Sequence, residues 1–358
     1  MEACPVRLRV SQVLTMSVAT IAFHNLYAEL NRDNRLFEQR DAPIGDDLLL
    51  PFSELRSIAA KRGVTVATTA VLSAEAIDAY VFIDMPATDN PVFSKAMASG
   101  RPLYLIVMES RLVRPQNYEP TSHCHFRKIF TYDDSLVDGE RFIKLNYAFR
   151  LPDSIPLDLA SKEKLCVMIA GYKFSRHPQE LYGERLAAIR WFERHHPADF
   201  DLYGVGWDKG RLGRRLPQWL TRRWGWLGRL GAPDVPSFRG RVERKRDVMG
   251  RYRFALCYEN IKDVPGYITE KLFDAFFAGT VPVYRGADNV TDHIPADCFV
   301  DLRLFPDYAA LYEELSGMTG KRYLEYLANI EGFLTSEQAK PFSCDYFAET
   351  VLTEIARG

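Results

Sequence analysis

The sequence predicts an α/β protein of two domains facing each other across a cleft, and three observations support that reading. Short apolar runs alternate with helix-like stretches through the first half of the chain. The same rhythm restarts after a proline-marked interval near the middle. The length, 358 residues, exceeds what one small core organises. Strands alternating with helices build parallel sheets covered on both faces. Ligands of such sheets bind beyond the carboxyl ends of the strands, so the cleft is the expected site.

In the first half, residues 64–71, 79–85 and 102–108 are predicted strands, being short apolar runs bounded by turn-forming residues. Residues 46–62 and 91–99 are predicted helices, and 128–132 and 142–147 are two further β-rich runs. Residues 151–163 hold Pro152 and Pro156 and no clear period, so they form the linker between a first domain, 1–150, and a second, 164–358. The second domain opens with a strand at 164–170, a helix at 179–195 and a strand at 200–205. Strands at 254–258, 281–284 and 298–302 continue it, with helices at 270–278, 308–316 and 323–334.

Composition narrows the function. The 46 Lys and Arg nearly cancel the 47 Asp and Glu, which argues against a dedicated nucleic-acid binder. No run reaches the roughly 20 apolar residues that span a bilayer. The nearest, 13–30, is broken by Thr15, Ser17, Thr20, His24, Asn25 and Glu29, and its end does not resemble a secretory cleavage site. The six cysteines include no C-x-x-C pair, and Cys166 and Cys257 sit inside apolar runs that read as buried strands. A reducing, cytoplasmic setting is the expectation.

The most informative stretch is 253–305. A buried strand ends at Tyr258 and gives way to Glu259 and Asn260, and a loop with Pro265 and Gly266 leads into a helix. Thr269 suits the N-cap, Glu270 complements the first turn, and Gly279 suits the stop. Leu272, Ala275, Phe276 and Gly279 follow the spacing of a core-facing stripe. Lys271 is the odd member, because a cation in the first turn opposes the helix dipole. A bound anion would reverse that sign; the alternative is a solvated lysine.

Tyr258-Glu259-Asn260, Gly266-Tyr267-Ile268-Thr269-Glu270-Lys271-Leu272 and Ala278-Gly279-Thr280-Val281-Pro282-Val283 resemble, in order and spacing, the sugar-donor signature of glycosyltransferase family 10, the α-1,3/4-fucosyltransferases. Tyr258 stands where that pattern usually has Phe, and Gly266 where many members have Asp. Residues 128–147, 195–207 and 238–245 also resemble the family's bacterial members, so the likeness runs from about 100 to about 305. It implies a GT-B-like architecture of two Rossmann-type domains and transfer of L-fucose from GDP-fucose with inversion. By position it implies that Tyr267, Glu270, Lys271 and an arginine on the first helix of the second domain hold the nucleotide sugar. That arginine is Arg185, with Arg190 the competing choice. Thr269 and Asn260 join the same set, although Asn260 could merely cap its turn. An inverting transfer needs a base for the acceptor hydroxyl. The resemblance points to Glu109 in Met108-Glu109-Ser110, whose other reading is a surface residue at a strand end.

Other patterns have blander readings. Asp199-Phe200-Asp201 is a D-x-D triplet, but both carboxylates enter a predicted strand and no metal is assigned to them. His123-Cys124-His125 lacks the distant partners that would close a metal shell. Asn289-Val290-Thr291 is a glycosylation sequon that matters only on a secretory route. Residues 209–253 hold 14 Lys or Arg against 3 Asp or Glu, and Trp219, Trp224 and Trp226 lie within them. Residues 209–230 therefore read either as a loop on their own domain or as a peripheral contact with the inner membrane surface. The expected partners are GDP-fucose and a glycan or lipid-linked oligosaccharide acceptor. No obligatory metal or other cofactor is expected, and no nucleic acid. The rival readings are a transferase for another GDP-6-deoxy sugar, or a non-catalytic saccharide- or membrane-binding relative.

Overall fold

The computed structural model describes residues 18–38, 47–208 and 234–358. Two six-stranded sheets organise them. The first contains β1 (Thr20–Asn25), β2 (Thr65–Thr68), β3 (Ala79–Ile83), β4 (Leu103–Ile106), β5 (Lys128–Thr131) and β6 (Phe142–Lys144), in spatial order β2-β1-β3-β4-β5-β6. The second contains β7 (Lys164–Ile169), β8 (Phe200–Tyr203), β9 (Phe238–Gly240), β10 (Tyr252–Tyr258), β11 (Val281–Arg285) and β12 (Val300–Asp301), in order β12-β11-β10-β7-β8-β9. Every strand pair is parallel. Because helices cover both faces, the central strands read as continuous apolar runs; all of β3 and β4 is buried.

Among the described residues, seven helices have eight or more residues. They are α1 (Leu50–Lys61), α2 (Pro91–Ala98), α3 (Tyr182–His195), α4 (Glu270–Phe277), α5 (Tyr308–Gly317), α6 (Gly320–Leu334) and α7 (Cys344–Arg357). No helix among the described residues is long and apolar enough to cross a membrane. In each sheet the winding reverses once, between β1 and β3 in the first and between β7 and β10 in the second. The chain diverges from these two points, and a crevice opens beyond the strand ends there.

Three features depart from the sequence expectation. The central strand β1 lies within 13–30, which reads only as a broken apolar stretch, because the polar ends Thr20, His24 and Asn25 mask Ile21, Ala22 and Phe23. The short edge strand β9 has no apolar run to announce it. The boundary 164–358 also needs correction. After Phe149 and Ser343 bridge, the chain returns to the first domain, and α7 lays Phe347, Ala348, Val351, Leu352 and Ile355 into that domain's core beside α1. The apolar stripe of α7 finishes the face of the first sheet, as the Tyr104 hydroxyl bonding the Ile355 carbonyl at 3.4 Å also shows.

The domains are locked together beside the crevice. Tyr132 of the first packs on Tyr267 of the second, with ring centroids 4.9 Å apart. Asp134 accepts from Asn289 at 2.9 Å and pairs with His293 at 2.7 Å, while Asn289 accepts from the Gly266 amide at 2.8 Å. Gly266 has φ +76°, and a Cβ there would lie 2.3 Å from the Tyr132 carbonyl oxygen, so only glycine fits this approach. The sequon asparagine, Asn289, is thus engaged in the domain contact.

Candidate active site between the two sheets

On the first domain, β4 ends at Ile106, and Val107 and Met108 lead from it to Glu109 at the crevice. The Glu109 carboxylate accepts from the Tyr27 hydroxyl at 3.2 Å, and Tyr27 comes from the turn after β1. Burial raises the Glu109 carboxyl above its ordinary value, and the Asp84 carboxylate adds to that; Lys173 and Lys271, both from the second domain, oppose it. The same surroundings push the Tyr27 phenol up to about 12.

On the second domain, β7 leads into Gly171, Tyr172 and Lys173. With Phe174, Tyr182, Arg185 and Trp207 these residues line a cavity of about 170 Å³. Beside it the backbone approaches closely: a Cβ on Gly204, where φ is +139°, would fall 2.0 Å from the Ala170 carbonyl oxygen. The Trp207 indole donates to that oxygen at 2.7 Å and stacks near Tyr172. Arg185, on the first turn of α3, is buried. One terminal nitrogen donates to the Tyr258 and Glu259 carbonyls at 3.1 Å each. Its Nε has no hydrogen-bond partner among the described residues, and burial pulls its pKa below the ordinary value. Arg190, by contrast, is a surface residue paired with Glu193 at 2.8 Å.

At the start of α4 the sequence-named residues meet one not singled out from the sequence. Glu259, fully buried beyond the end of β10, accepts from the Thr269 amide at 2.8 Å, the Thr269 hydroxyl at 2.8 Å and Lys271 at 3.0 Å. Thr269 sits at the N-cap position, but its hydroxyl serves Glu259 and Lys271 and makes no cap bond. The reason is the buried carboxylate, which competes for the hydroxyl better than a backbone amide does. Burial would lower the Lys271 ammonium, yet Glu259 and Glu270 outweigh it and hold it above its ordinary value. Burial would likewise raise Glu270, but Lys271 and Lys245 hold that carboxyl down at about 2. Lys245 lies 3.8 Å from Glu270 and 2.8 Å from Asp274.

Lys271, Glu270, Thr269, Arg185 and Glu109 are thus gathered at the crevice. Asn260 lies beside them and uses its carbonyl to take the Leu181 amide at 3.1 Å. Tyr267 borders the same cluster from the domain contact: its ring is buried against Tyr132 and Tyr147, and burial, with Glu259, Glu109 and Glu270 adding to it, pushes its phenol well up. The cavity opens on residues 171–186 rather than directly on the first turn of α4. Lys173 is the other residue missed from the sequence, although its place just beyond a predicted strand was a usable signal. Among the described residues it makes no ion pair or hydrogen bond. Burial pulls its ammonium down against the opposing pull of Glu109, and Lys271 and Arg185 add to the lowering. Three cations, Lys173, Arg185 and Lys271, therefore converge near Glu109, Glu259 and Glu270, and neither Lys173 nor the Arg185 Nε is taken up by an ion pair or hydrogen bond among the described residues, which is chemistry suited to a polyanionic ligand.

The other candidates are structural. Asp201 binds Lys164 at 2.7 Å, Arg239 at 2.6 Å and the Tyr252 hydroxyl at 2.7 Å, while Asp199 accepts from Tyr312 at 2.7 Å. His123 bonds the Asn117 carbonyl at 2.8 Å. Among the described residues no group of three His, Cys, Asp or Glu could hold a metal. The membrane-surface reading of 209–230 falls on residues outside those described.

Two parallel Rossmann-type sheets facing across a crevice are the GT-B arrangement. Solved structures bear this out at the level of fold. An α1,3-fucosyltransferase with GDP superposes with a TM-score of 0.54 and 14% identity, covering 98% of this chain and 93% of that one. Anabaena HepE in complex with UDP and glucose gives 0.55 and 11%, covering 95% and 100%. Residues 230–344 match the model of the glycosyltransferase family 10 (fucosyltransferase) C-terminal domain. Helicobacter pylori alpha-(1,3)-fucosyltransferase FucT is 36% identical over 67 residues, 19% of this chain and 14% of the relative. Arabidopsis thaliana alpha-(1,4)-fucosyltransferase is 40% identical over 82 residues, 22% and 20%. The mouse 4-galactosyl-N-acetylglucosaminide 3-alpha-L-fucosyltransferase 9 is 42% identical over 80 residues, 21% of each. These matches span between a seventh and about a fifth of the relatives' lengths.

Proposed function

We propose that the chain is an inverting fucosyltransferase that moves L-fucose from GDP-fucose to a saccharide hydroxyl. The observation that supports this reading best is the opposition, across one crevice, of the Glu109 carboxylate and the cluster Lys173, Arg185 and Lys271. In the reaction, the acceptor oxygen attacks the anomeric carbon of fucose from the face opposite the nucleotide while Glu109 takes its proton. The bond from that carbon to the β-phosphate oxygen breaks, and GDP leaves with the electron pair. The negative charge developing on the diphosphate is met by Lys173, the free Nε of Arg185 and Lys271, which are fixed before the reaction begins. Glu270, ionised at neutral pH, is placed to accept from sugar or ribose hydroxyls. On this reading the cations of the chain carry the leaving-group charge without an obligatory divalent ion. A GlcNAc-type glycan, substituted at its 3-hydroxyl, is the first acceptor to assay.

Incubation of the purified chain with GDP-fucose, with and without a glycan panel, tests the reading. An enzyme releases GDP slowly to water and faster with its acceptor, and Glu109→Gln keeps GDP affinity while losing turnover. Absence of GDP release under all conditions would sink the proposal in favour of a binding module.

A further inference from the structure

Resting on the assignment of Glu109 as base, we propose that Asp84, held by Asn117, is a positioning residue for Glu109, clamping the backbone that carries it and placing a fixed negative charge beside it. Asp84 follows β3 in the left-handed region, φ +60°, and is only 4% exposed. One of its oxygens accepts three bonds: the Met108 amide at 2.8 Å, the Glu109 amide at 2.8 Å and the Asn117 side-chain nitrogen at 2.7 Å. Asn117 also donates to the Glu109 carbonyl at 3.0 Å, and its own oxygen takes the Met85 amide at 2.6 Å. The Tyr118 hydroxyl reaches the same Glu109 carbonyl at 3.3 Å. Both backbone groups of Glu109 are therefore held by side chains from outside its strand, which fixes the direction in which β4 exits toward the crevice.

Capping two amides does not require a buried charge, since a neutral asparagine accepts equally well and tolerates positive φ. Burial pulls the Asp84 carboxyl above its ordinary value, while the Glu109 and Met108 amides, Asn117 and Arg114 pull it back toward ionisation; the distinguishing effect of the carboxylate they hold is electrostatic. A second anion near Glu109 disfavours ionisation, makes Glu109 a stronger base, and raises the pH at which it becomes one. The other groups facing Glu109 are Tyr27 from the turn after β1, Tyr118 and Tyr147 of its own domain, and Lys173, Tyr182, Tyr267 and Lys271 of the second; Arg114, on the Met85 carbonyl, lies beside Asp84. Of these, only Asp84 is a carboxylate bonded to the Glu109 backbone.

Asp84→Asn keeps the shape and the acceptor oxygen and removes the charge. In the pH profile of kcat/KM, its acidic limb moves down by about one pH unit, the size expected for one nearby charge at an intermediate dielectric. The plateau kcat falls roughly three- to tenfold as the base weakens, while GDP affinity stays put. Asn117→Ala, which leaves the charge in place, lowers kcat roughly tenfold with the limb unmoved. An unmoved limb in a folded Asp84→Asn enzyme, or an unchanged kcat in Asn117→Ala, overturns the proposal. Full turnover by Glu109→Gln would instead overturn the base assignment on which it rests, so the two failures are distinguishable.

Discussion

Glu259→Gln is the sharpest perturbation of the second-domain half of the site. In the native protein the Glu259 carboxylate takes three bonds and is fully shielded from water. Glutamine retains the oxygen that receives the Thr269 amide, but presents an NH2 where Lys271 needs an acceptor. The ammonium keeps Glu270 at 3.5 Å and the Thr269 hydroxyl at 2.9 Å, so it is weakened rather than orphaned. Loss of one buried charge-assisted bond costs about 1.5–3 kcal/mol, and the facing donors add to it, so a fall of about 2–4 kcal/mol in unfolding free energy is expected. Urea denaturation of the wild type, Glu259→Gln, Lys271→Met and the double variant forms a cycle that isolates the pair. A coupling of about 1.5–3 kcal/mol is the expected result. Additive single effects would refute the idea that Glu259 holds Lys271 in place.

Three further outcomes follow from the same structure. Glu270 has a folded-state pKa of about 2, below its ordinary 4.5, so its contribution is fully present above the ordinary value and is lost as pH falls between them; acid unfolding of Glu270→Gln should be flatter over that window. Gly266→Ala forces an L residue into φ +76° and drives its Cβ toward the Tyr132 carbonyl, Lys144 and Asp134, so a loss of about 2–4 kcal/mol is expected by thermal unfolding. Leu352→Ala, at a fully buried position of α7, should cost about 2–5 kcal/mol, and hydrogen exchange should show the loosening in α1 of the first domain.

Much of this architecture was legible in the sequence because parallel strands buried on both faces announce themselves as uninterrupted apolar runs, as at 79–85 and 102–108. The exceptions have physical causes. β1 is polar at both ends, and its burial comes from neighbours distant in sequence. α7 carries an ordinary amphipathic stripe, and nothing local in such a stripe says which domain it will cover. The site was legible where a helix start broke a rule: Lys271 opposes the dipole, and the structure answers with Glu259 and Glu270 at its side. Glu259 itself was hidden because a strand-end glutamate is usually a surface residue, and only the tertiary fold brings Thr269 and Lys271 onto it. Lys173 was hidden for a similar reason, since its importance lies in facing Arg185 and Glu109 from other elements. Tyr267 is the converse case, a motif residue whose ring the structure places in the domain contact.

Binding of GDP, followed by titration calorimetry, tests the central idea that the crevice between the sheets is a diphosphate site. Lys271→Ala and Arg185→Lys should each weaken GDP at least about tenfold, with little effect on the much weaker binding of guanosine. Arg190→Ala, on the far surface of α3, should bind like the wild type. Equal GDP affinity in the wild type and Lys271→Ala would contradict the assignment.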